Sequence, residues 1–137
     1  MTEKHEGVRV LAWVASDMQK EIRRQLGPIG AMLAFASRAT ELFHRIRNRG
    51  VYDVVLLPAA LPDTDWWTVW GEICLLNPRP AILVYAHAAS FQLWSGVLES
   101  GGYDVIVEPF TDDELQSAVL RAAKSVDERS LSDTGNE

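Results

Sequence analysis

The sequence predicts an α/β protein with a doubly wound, five-stranded parallel sheet and five flanking helices. Short apolar, β-branched runs alternate along the chain with segments whose apolar residues recur at helical spacing. The apolar runs are continuous, which is typical of strands buried on both faces of a parallel sheet. The chain has 137 residues, of which 47% are hydrophobic. This length is sufficient for a single domain of that class.

The first half of the chain holds two strand–helix units. Residues 8–14 form the first predicted strand, and Asp17 is suited to cap the helix that follows. A Gly-Pro pair ends this helix, and the apolar run at 31–36 predicts the second strand. A second amphipathic helix then extends to Gly50.

Three more strand–helix units complete the alternation. The side chain of Asp65 can cap the third helix, and the fourth helix begins at about Ser90. Before the last helix, Thr111 and Glu114 have the spacing of a capping box. The strands are predicted at residues 54–57, 81–85 and 105–107. We expect the domain to span 8–125, with flexible ends at 1–7 and 126–137 because these ends are polar.

Composition limits the classes of function. With 13 Lys+Arg against 19 Asp+Glu, the net charge of −6 disfavours a nucleic-acid partner or an acidic membrane. The single cysteine, Cys74, excludes an internal disulfide and is expected to be a small core residue of the third helix. No targeting signal and no apolar run of about 20 residues is present. We therefore expect a cytoplasmic protein.

No spacing of side chains indicates a metal site or a nucleotide enzyme. His5, His44 and His87 are far apart and accompany no cysteine pattern. No glycine-rich phosphate loop follows the first strand. His87 follows the fourth strand and is expected to be a solvent-facing loop residue. The sequence therefore predicts no metal ligands and no enzymatic activity.

Three segments carry a resemblance to a known family. Val-Val-Leu-Leu at 54–57 precedes Leu-Pro-Asp-Thr-Asp at 61–65, and Ala-Ile-Leu-Val opens the fourth strand at 81–84. Residues 101–110 are Gly-Gly-Tyr-Asp-Val-Ile-Val-Glu-Pro-Phe. Over about residues 8–125, the sequence resembles the receiver domain of bacterial response regulators, the CheY-like superfamily. The resemblance implies the flavodoxin-like strand order 2-1-3-4-5, with a site at the carboxyl ends of the strands.

The resemblance also implies a phosphoryl-acceptor site. Such domains have a nucleophilic Asp after the third strand, a Thr or Ser after the fourth, a Lys after the fifth, and an acidic pair that helps to bind Mg²⁺. The matching positions here hold Pro58, Ala86 and Glu108, and the acidic pair is reduced to Asp17. The aromatic switch position holds Val105. We therefore expect a degenerate pseudo-receiver that lacks the acceptor Asp and binds no Mg²⁺.

Three functions remain open at this point. The leading interpretation is a stand-alone signalling module of two-component or phosphorelay type that binds a protein without phosphorylation. Its partner would be a signalling kinase, an output protein or a second copy of the chain. One alternative is a phosphoacceptor that uses a displaced carboxylate, Asp63 or Asp65. The other is a small-ligand sensor that uses a vacated pocket, which lies near Trp13, Pro58, Ala86 and Glu108.

Tryptophans supply the candidate interface. Because successive helical residues point about 100° apart, Trp66 and Trp67 diverge, and at least one indole should be exposed or covered by a partner. An ordinary amphipathic helix with large core residues is the alternative. The resemblance adds the surface formed by the fourth helix, fifth strand and fifth helix. The interface candidates are Trp66, Trp67, Trp70, Trp94, Tyr103 and Val107.

Overall fold

A computed structural model describes residues 7–49, 51–61, 64–88 and 90–135 of the chain. The predicted flexible segment at 1–6 and the candidate acceptor Asp63 lie outside the described residues. Within the described part, strands and helices alternate as predicted. They are β1 (Arg9–Trp13), α1 (Ser16–Leu26), β2 (Met32–Ala36), α2 (Ala39–Arg49), β3 (Val54–Pro58), α3 (Trp66–Cys74), β4 (Ala81–Ala86), α4 (Phe91–Glu99), β5 (Asp104–Val107) and α5 (Asp112–Gly135), with a 3₁₀ turn at Gly27–Ile29.

The sheet has the strand order β2-β1-β3-β4-β5, and all neighbouring strands are parallel. This confirms the predicted fold class. Successive strand side chains point to opposite faces, so the sheet separates two cores. The core beneath α1 and α5 includes Val10, Leu56 and Leu83, and the core beneath α2, α3 and α4 includes Leu11, Val55 and Val84.

The predicted cap of α3 is confirmed, the predicted cap of α1 is wrong, and α4 has a cap that the sequence analysis did not identify. Asp65 accepts a hydrogen bond from the Thr68 amide at 2.8 Å, and Ser90 Oγ accepts one from the Leu93 amide at 3.0 Å. The N-cap of α1 is Ala15, which makes no side-chain cap bond. Asp17 instead lies in the first turn of α1, where a negative charge interacts favourably with the positive end of the helix dipole.

The capping box before α5 forms as predicted. The Thr111 amide donates to Glu114 Oε1 at 2.8 Å, and the Glu114 amide donates to Thr111 Oγ1 at 3.1 Å. We expect Thr111→Ala to lower the free energy of unfolding by about 0.5–2 kcal/mol, because one helix N–H loses its partner. Urea denaturation measures this change. Ser117→Ala, an exposed position within the same helix, is the control, and an equal loss in both variants would contradict a capping role.

The last helix continues past the predicted domain boundary. Residue 125 was expected to end the ordered domain, but α5 extends to Gly135 and Val126 is buried in the core. Val126 continues the apolar stripe of Val119 and Ala122, and the polar residues after it include no proline or glycine that would end a helix before Gly135. Among the helices that the structure describes, none has both the length and the apolar character needed to cross a membrane.

The position predicted for Cys74 is wrong. Helix α3 buries Val69, Trp70 and Ile73, whereas the Cys74 thiol is free and exposed. Cys74 is the last residue of this short helix and adjoins Ile73, so its side chain points away from the sheet. Cys74 is therefore not a core residue.

Candidate functional site at the carboxyl edge of the sheet

The carboxyl ends of β3, β4 and β5 bring three of the predicted site positions to one edge. Pro58 is the last residue of β3, Ala86 is the last residue of β4, and the Glu108 amide donates to the Ala86 carbonyl at 2.8 Å. Asp17 follows β1 at the same end of the sheet, and its side chain is exposed. The predicted edge therefore exists, with Asp17 at its solvent side.

The side chain beside Pro58 belongs to Tyr85, a residue that the sequence analysis did not select. Pro58 pairs with Tyr85 in the parallel register, whereas Ala86 is one residue further and pairs with Val107. Since strand side chains alternate, Tyr85 and Ala86 point to opposite faces. The residue beside the acceptor position was expected to be Ala86, in place of the family's Thr or Ser. The register corrects this by one residue, because Tyr85 is the β4 residue that adjoins Pro58.

Tyr85 fills the space above the end of β3. Its side chain belongs to the core beneath α1 and α5, and only 8% of the residue is exposed. The phenol donates a hydrogen bond to the Trp13 carbonyl of β1 at 2.7 Å. Because β3 lies between β4 and β1, the ring crosses β3 near Pro58. Burial raises the pKa of Tyr85 well above its ordinary value, and the charge of Glu108 raises it further, so the phenol remains a donor.

Glu108 is mostly buried and contacts the exposed side chain of His87. Its side chain is 18% exposed, and its Oε1 lies 3.2 Å from Nδ1 of His87. The His87 side chain is 93% exposed, in agreement with the prediction of a solvent-facing loop residue. Glu108 and His87 border a cleft of about 300 Å³ between α1 and the segment after β5, which also includes Glu21. Two carboxylates give this cleft an acidic wall.

Ala59, the first residue after β3, is held by hydrogen bonds at both its amide and its carbonyl group. The Ala59 amide donates to the Tyr85 carbonyl at 2.8 Å, and the Ala59 carbonyl accepts the indole N–H of Trp66 at 2.8 Å. Trp66 stands where the resembling family usually has glycine. Its indole thus anchors Ala59, the residue that follows Pro58.

Solved receiver domains share this fold and its extent. The receiver domain of the sensor histidine kinase PA1611 from Pseudomonas aeruginosa PAO1, solved with magnesium in its active-site cleft, has a TM-score of 0.72 at 21% identity and covers 86% of this chain and 98% of its own. The receiver domain of an HD domain-containing protein from Pseudomonas fluorescens Pf-5 has a TM-score of 0.76 at 22% identity. The match covers 90% of this chain and 99% of that domain. This chain has the fold of a response-regulator receiver domain.

Curated relatives agree with the receiver fold. The transcriptional regulatory protein ZraR of Escherichia coli O157:H7 is 27% identical over 93 residues, which are 68% of this chain and 21% of ZraR. ZraR of Salmonella typhimurium is 27% identical over an alignment of the same length. The chain therefore matches only about a fifth of the length of these relatives. No family model matches the chain.

The residues at the carboxyl edge of the sheet do not fit the Mg²⁺ that the fold family implies. Mg²⁺ needs near-octahedral oxygen ligands, and Pro58 offers no side-chain oxygen. Asp17 supplies one exposed carboxylate, and Glu108 contacts His87. Among the described residues, no three His, Cys, Asp or Glu side chains lie close enough together to hold a metal ion.

Asp65 has a structural role at the start of α3. One carboxylate oxygen accepts from the Thr68 amide at 2.8 Å, and the other accepts from Thr68 Oγ1 at 3.2 Å. These two bonds hold the pKa of Asp65 below its ordinary value. Both oxygens of this carboxylate are therefore engaged in the helix cap.

The candidate interface residues differ in how far their side chains are exposed. Trp66 is half-buried and Trp70 is buried, so these indoles mainly pack within the domain, whereas Trp67 is 74% exposed. Trp94 is 44% exposed and adjoins exposed Phe91, with ring centroids 6.1 Å apart. The structure thus confirms that at least one indole of α3 is exposed. Of the remaining pair, Val107 is exposed and Tyr103 is half-buried against the core beneath α1 and α5.

Proposed function

We propose that this chain is a pseudo-receiver of a two-component or phosphorelay system that signals by binding another protein and takes up no phosphoryl group. The observation that carries the proposal is the pair of Pro58 and Tyr85 at the end of β3. Pro58 has no nucleophilic atom, and the Tyr85 ring, bonded to the Trp13 carbonyl, fills the adjoining space. The pair removes both the nucleophile and the room for a phosphoryl group.

The charge at this edge supports the same conclusion. Phosphoryl transfer requires cations around the transferring oxygens. Glu108 places a negative charge where the resembling family has a lysine, and it is largely withdrawn from solvent. An aspartyl phosphate formed here would therefore face repulsion instead of stabilisation, and we propose that the chain is not an enzyme.

The alternative functions receive less support. Asp65 uses both carboxylate oxygens in the cap of α3, so acting as a displaced acceptor would require it to break the cap. A small-ligand pocket at this edge would need space near Trp13 and Pro58. The Tyr85 ring, 8% exposed, fills the face beside Pro58, and the Trp13 side chain, 2% exposed, is packed in the core on the other face of the sheet.

The exposed apolar surface between α4 and β5 suits a protein partner. We name Phe91, Trp94, Leu98 and Val107 the α4–β5 patch, and all four are exposed. Aromatic residues dominate the energetics of protein interfaces, and contiguous apolar surface is unusual on a domain without a partner. The related proteins include a sensor histidine kinase and a transcriptional regulatory protein. We therefore propose a signalling kinase, an output protein or a second copy of the chain as the partner.

Incubation with acetyl phosphate and Mg²⁺, followed by intact-mass spectrometry, tests the lack of phosphorylation. We expect the mass of the chain to remain unchanged, because the β3 end has no acceptor. A receiver domain that acetyl phosphate is known to phosphorylate, measured in parallel, shows that the donor is active. A stable added phosphoryl group that disappears in Asp63→Asn or Asp65→Asn would contradict the proposal and identify a displaced acceptor.

Sedimentation velocity of wild type against Trp94→Ala tests the patch as a self-association surface. We expect Trp94→Ala to weaken dimer formation by about tenfold or more, since the loss of one interface aromatic costs at least 1–2 kcal/mol. Trp67→Ala, an exposed indole on α3, is the matched control and should leave association unchanged. A wild type that is monomeric at every concentration would exclude a second copy as the partner.

A further inference from the structure

A second recess lies between α3 and α4, away from the carboxyl edge. Its volume is about 300 Å³. Trp66, Trp67 and Trp70 form the α3 wall, and Leu93 and Gly96 contribute to the α4 wall. No charged side chain is among the residues that line it. We call this recess the tryptophan cleft.

Hydrogen bonds fix two of the three indoles. The Trp66 N–H donates to the Ala59 carbonyl at 2.8 Å, and the Trp70 N–H donates to the Ser100 carbonyl at 2.6 Å. Their ring centroids lie 5.0 Å apart with an interplanar angle of 40°. The wall is therefore rigid before anything binds, and a ligand does not have to order it. Because both N–H groups are already paired, these two indoles present carbon surface to the cleft.

Gly96 keeps the opposite wall open. A Cβ built on Gly96 would meet no atom within 4 Å, so packing inside the domain does not require glycine there. Glycine within a helix costs about 1 kcal/mol relative to alanine. The missing side chain leaves a flat stretch of helix facing the indoles. Gly71 of α3 is equally free of neighbours but does not line the cleft, which makes it a matched control.

We propose that the tryptophan cleft binds a small, uncharged, flat aromatic ligand. Its volume is at the lower end of the range of about 300–1,000 Å³ for ligand pockets, which suits one or two fused rings and not the row of side chains that a docked helix inserts. The absence of charge in the lining disfavours an ionic ligand. Offset stacking on the fixed indoles supplies attraction beyond area burial.

This site is separate from the surface of the proposed function. On α4 the cleft is lined by positions 92, 93, 96 and 97, whereas the α4–β5 patch uses positions 91, 94 and 98 of the same helix. At helical spacing these two sets occupy opposite flanks. Ligand binding in the cleft and protein binding at the patch can therefore succeed or fail independently.

Fluorescence titration with 2-naphthol, a flat probe of two fused rings that is uncharged at neutral pH, tests the cleft. We expect saturable binding of one probe per chain, accompanied by quenching of the tryptophan emission. Gly96→Leu places a side chain in the cleft and should weaken binding by about tenfold or more. Gly71→Leu and Trp94→Ala should bind the probe as wild type does. Circular dichroism confirms that each variant is folded.

Two results would overturn this proposal. One is the absence of saturable binding, or equal affinity in wild type and Gly96→Leu. The other is a dimer in sedimentation equilibrium that Gly96→Leu dissociates, because this would assign the cleft to a second copy of the chain. Neither result alters the acetyl phosphate experiment, which tests a different edge of the sheet.

Discussion

Tyr85→Ala is expected to lower the free energy of unfolding by about 3–5 kcal/mol, the usual range for removing a buried aromatic ring. The ring is 8% exposed within the core beneath α1 and α5, so its loss leaves a cavity at the carboxyl edge. It also leaves the Trp13 carbonyl without the phenol donor. Urea denaturation monitored by circular dichroism measures the change.

Tyr85→Phe separates the hydroxyl from the ring. It keeps the packing and removes only the bond to Trp13, so we expect a loss of about 1–3 kcal/mol, the cost of an unpaired buried acceptor. Tyr103→Phe, at a half-buried tyrosine, is the control and should change stability by about 0.5 kcal/mol or less. If Tyr85→Phe were as stable as wild type, the phenol would not secure the edge as proposed.

Gly102→Ala should destabilise the domain through overpacking. A Cβ at Gly102 would lie 2.5 Å from Val97 Cγ1, 3.0 Å from the Val97 carbonyl oxygen and 3.1 Å from a ring carbon of Trp70. The Gly102 amide also donates to the Val97 carbonyl at 2.8 Å, so the backbone cannot move away without loss of that bond. We expect a cost of about 1–3 kcal/mol in urea denaturation.

Gly71→Ala, in helix α3, is expected to change the free energy of unfolding in the opposite direction. Its Cβ would meet no atom within 4 Å, and alanine is favoured over glycine in a helix by about 1 kcal/mol. Gly71→Ala should therefore be as stable as wild type or more so. Equal effects of the two substitutions would show that the close approach at Gly102 is relieved by movement of Val97 and Trp70.

The fold could be predicted because its signals are local. Continuous apolar runs specify strands buried on both faces, and the caps at Asp65 and Thr111 depend on residues three positions apart. The errors also have local causes. The polar segment after Val126 contains no residue that ends a helix before Gly135, so its polarity alone did not indicate the end of α5. Cys74 lies next to the apolar stripe of α3, and the sequence pattern does not determine whether its side chain faces the core or the solvent.

The arrangement of the site could be predicted only in part. Pro58 and Glu108 follow from the motifs around them, and both lie at the predicted edge. Tyr85 could not be recognised, because its hydroxyl partner Trp13 is 72 residues away in sequence and only the sheet register brings them together. A tyrosine at the end of a buried strand, where its hydroxyl needs a partner, was the one available signal.

We propose that the carboxyl edge of the sheet in this chain does not accept a phosphoryl group. The most direct test of this proposal is a ¹H–¹⁵N NMR titration with beryllofluoride, a phosphoryl mimic, in the presence of Mg²⁺. We predict that the amide resonances of Ala59, Ala86 and Glu108, which surround the end of β3, remain unchanged. Saturable shifts of these resonances would show that the edge binds the mimic and would contradict the account.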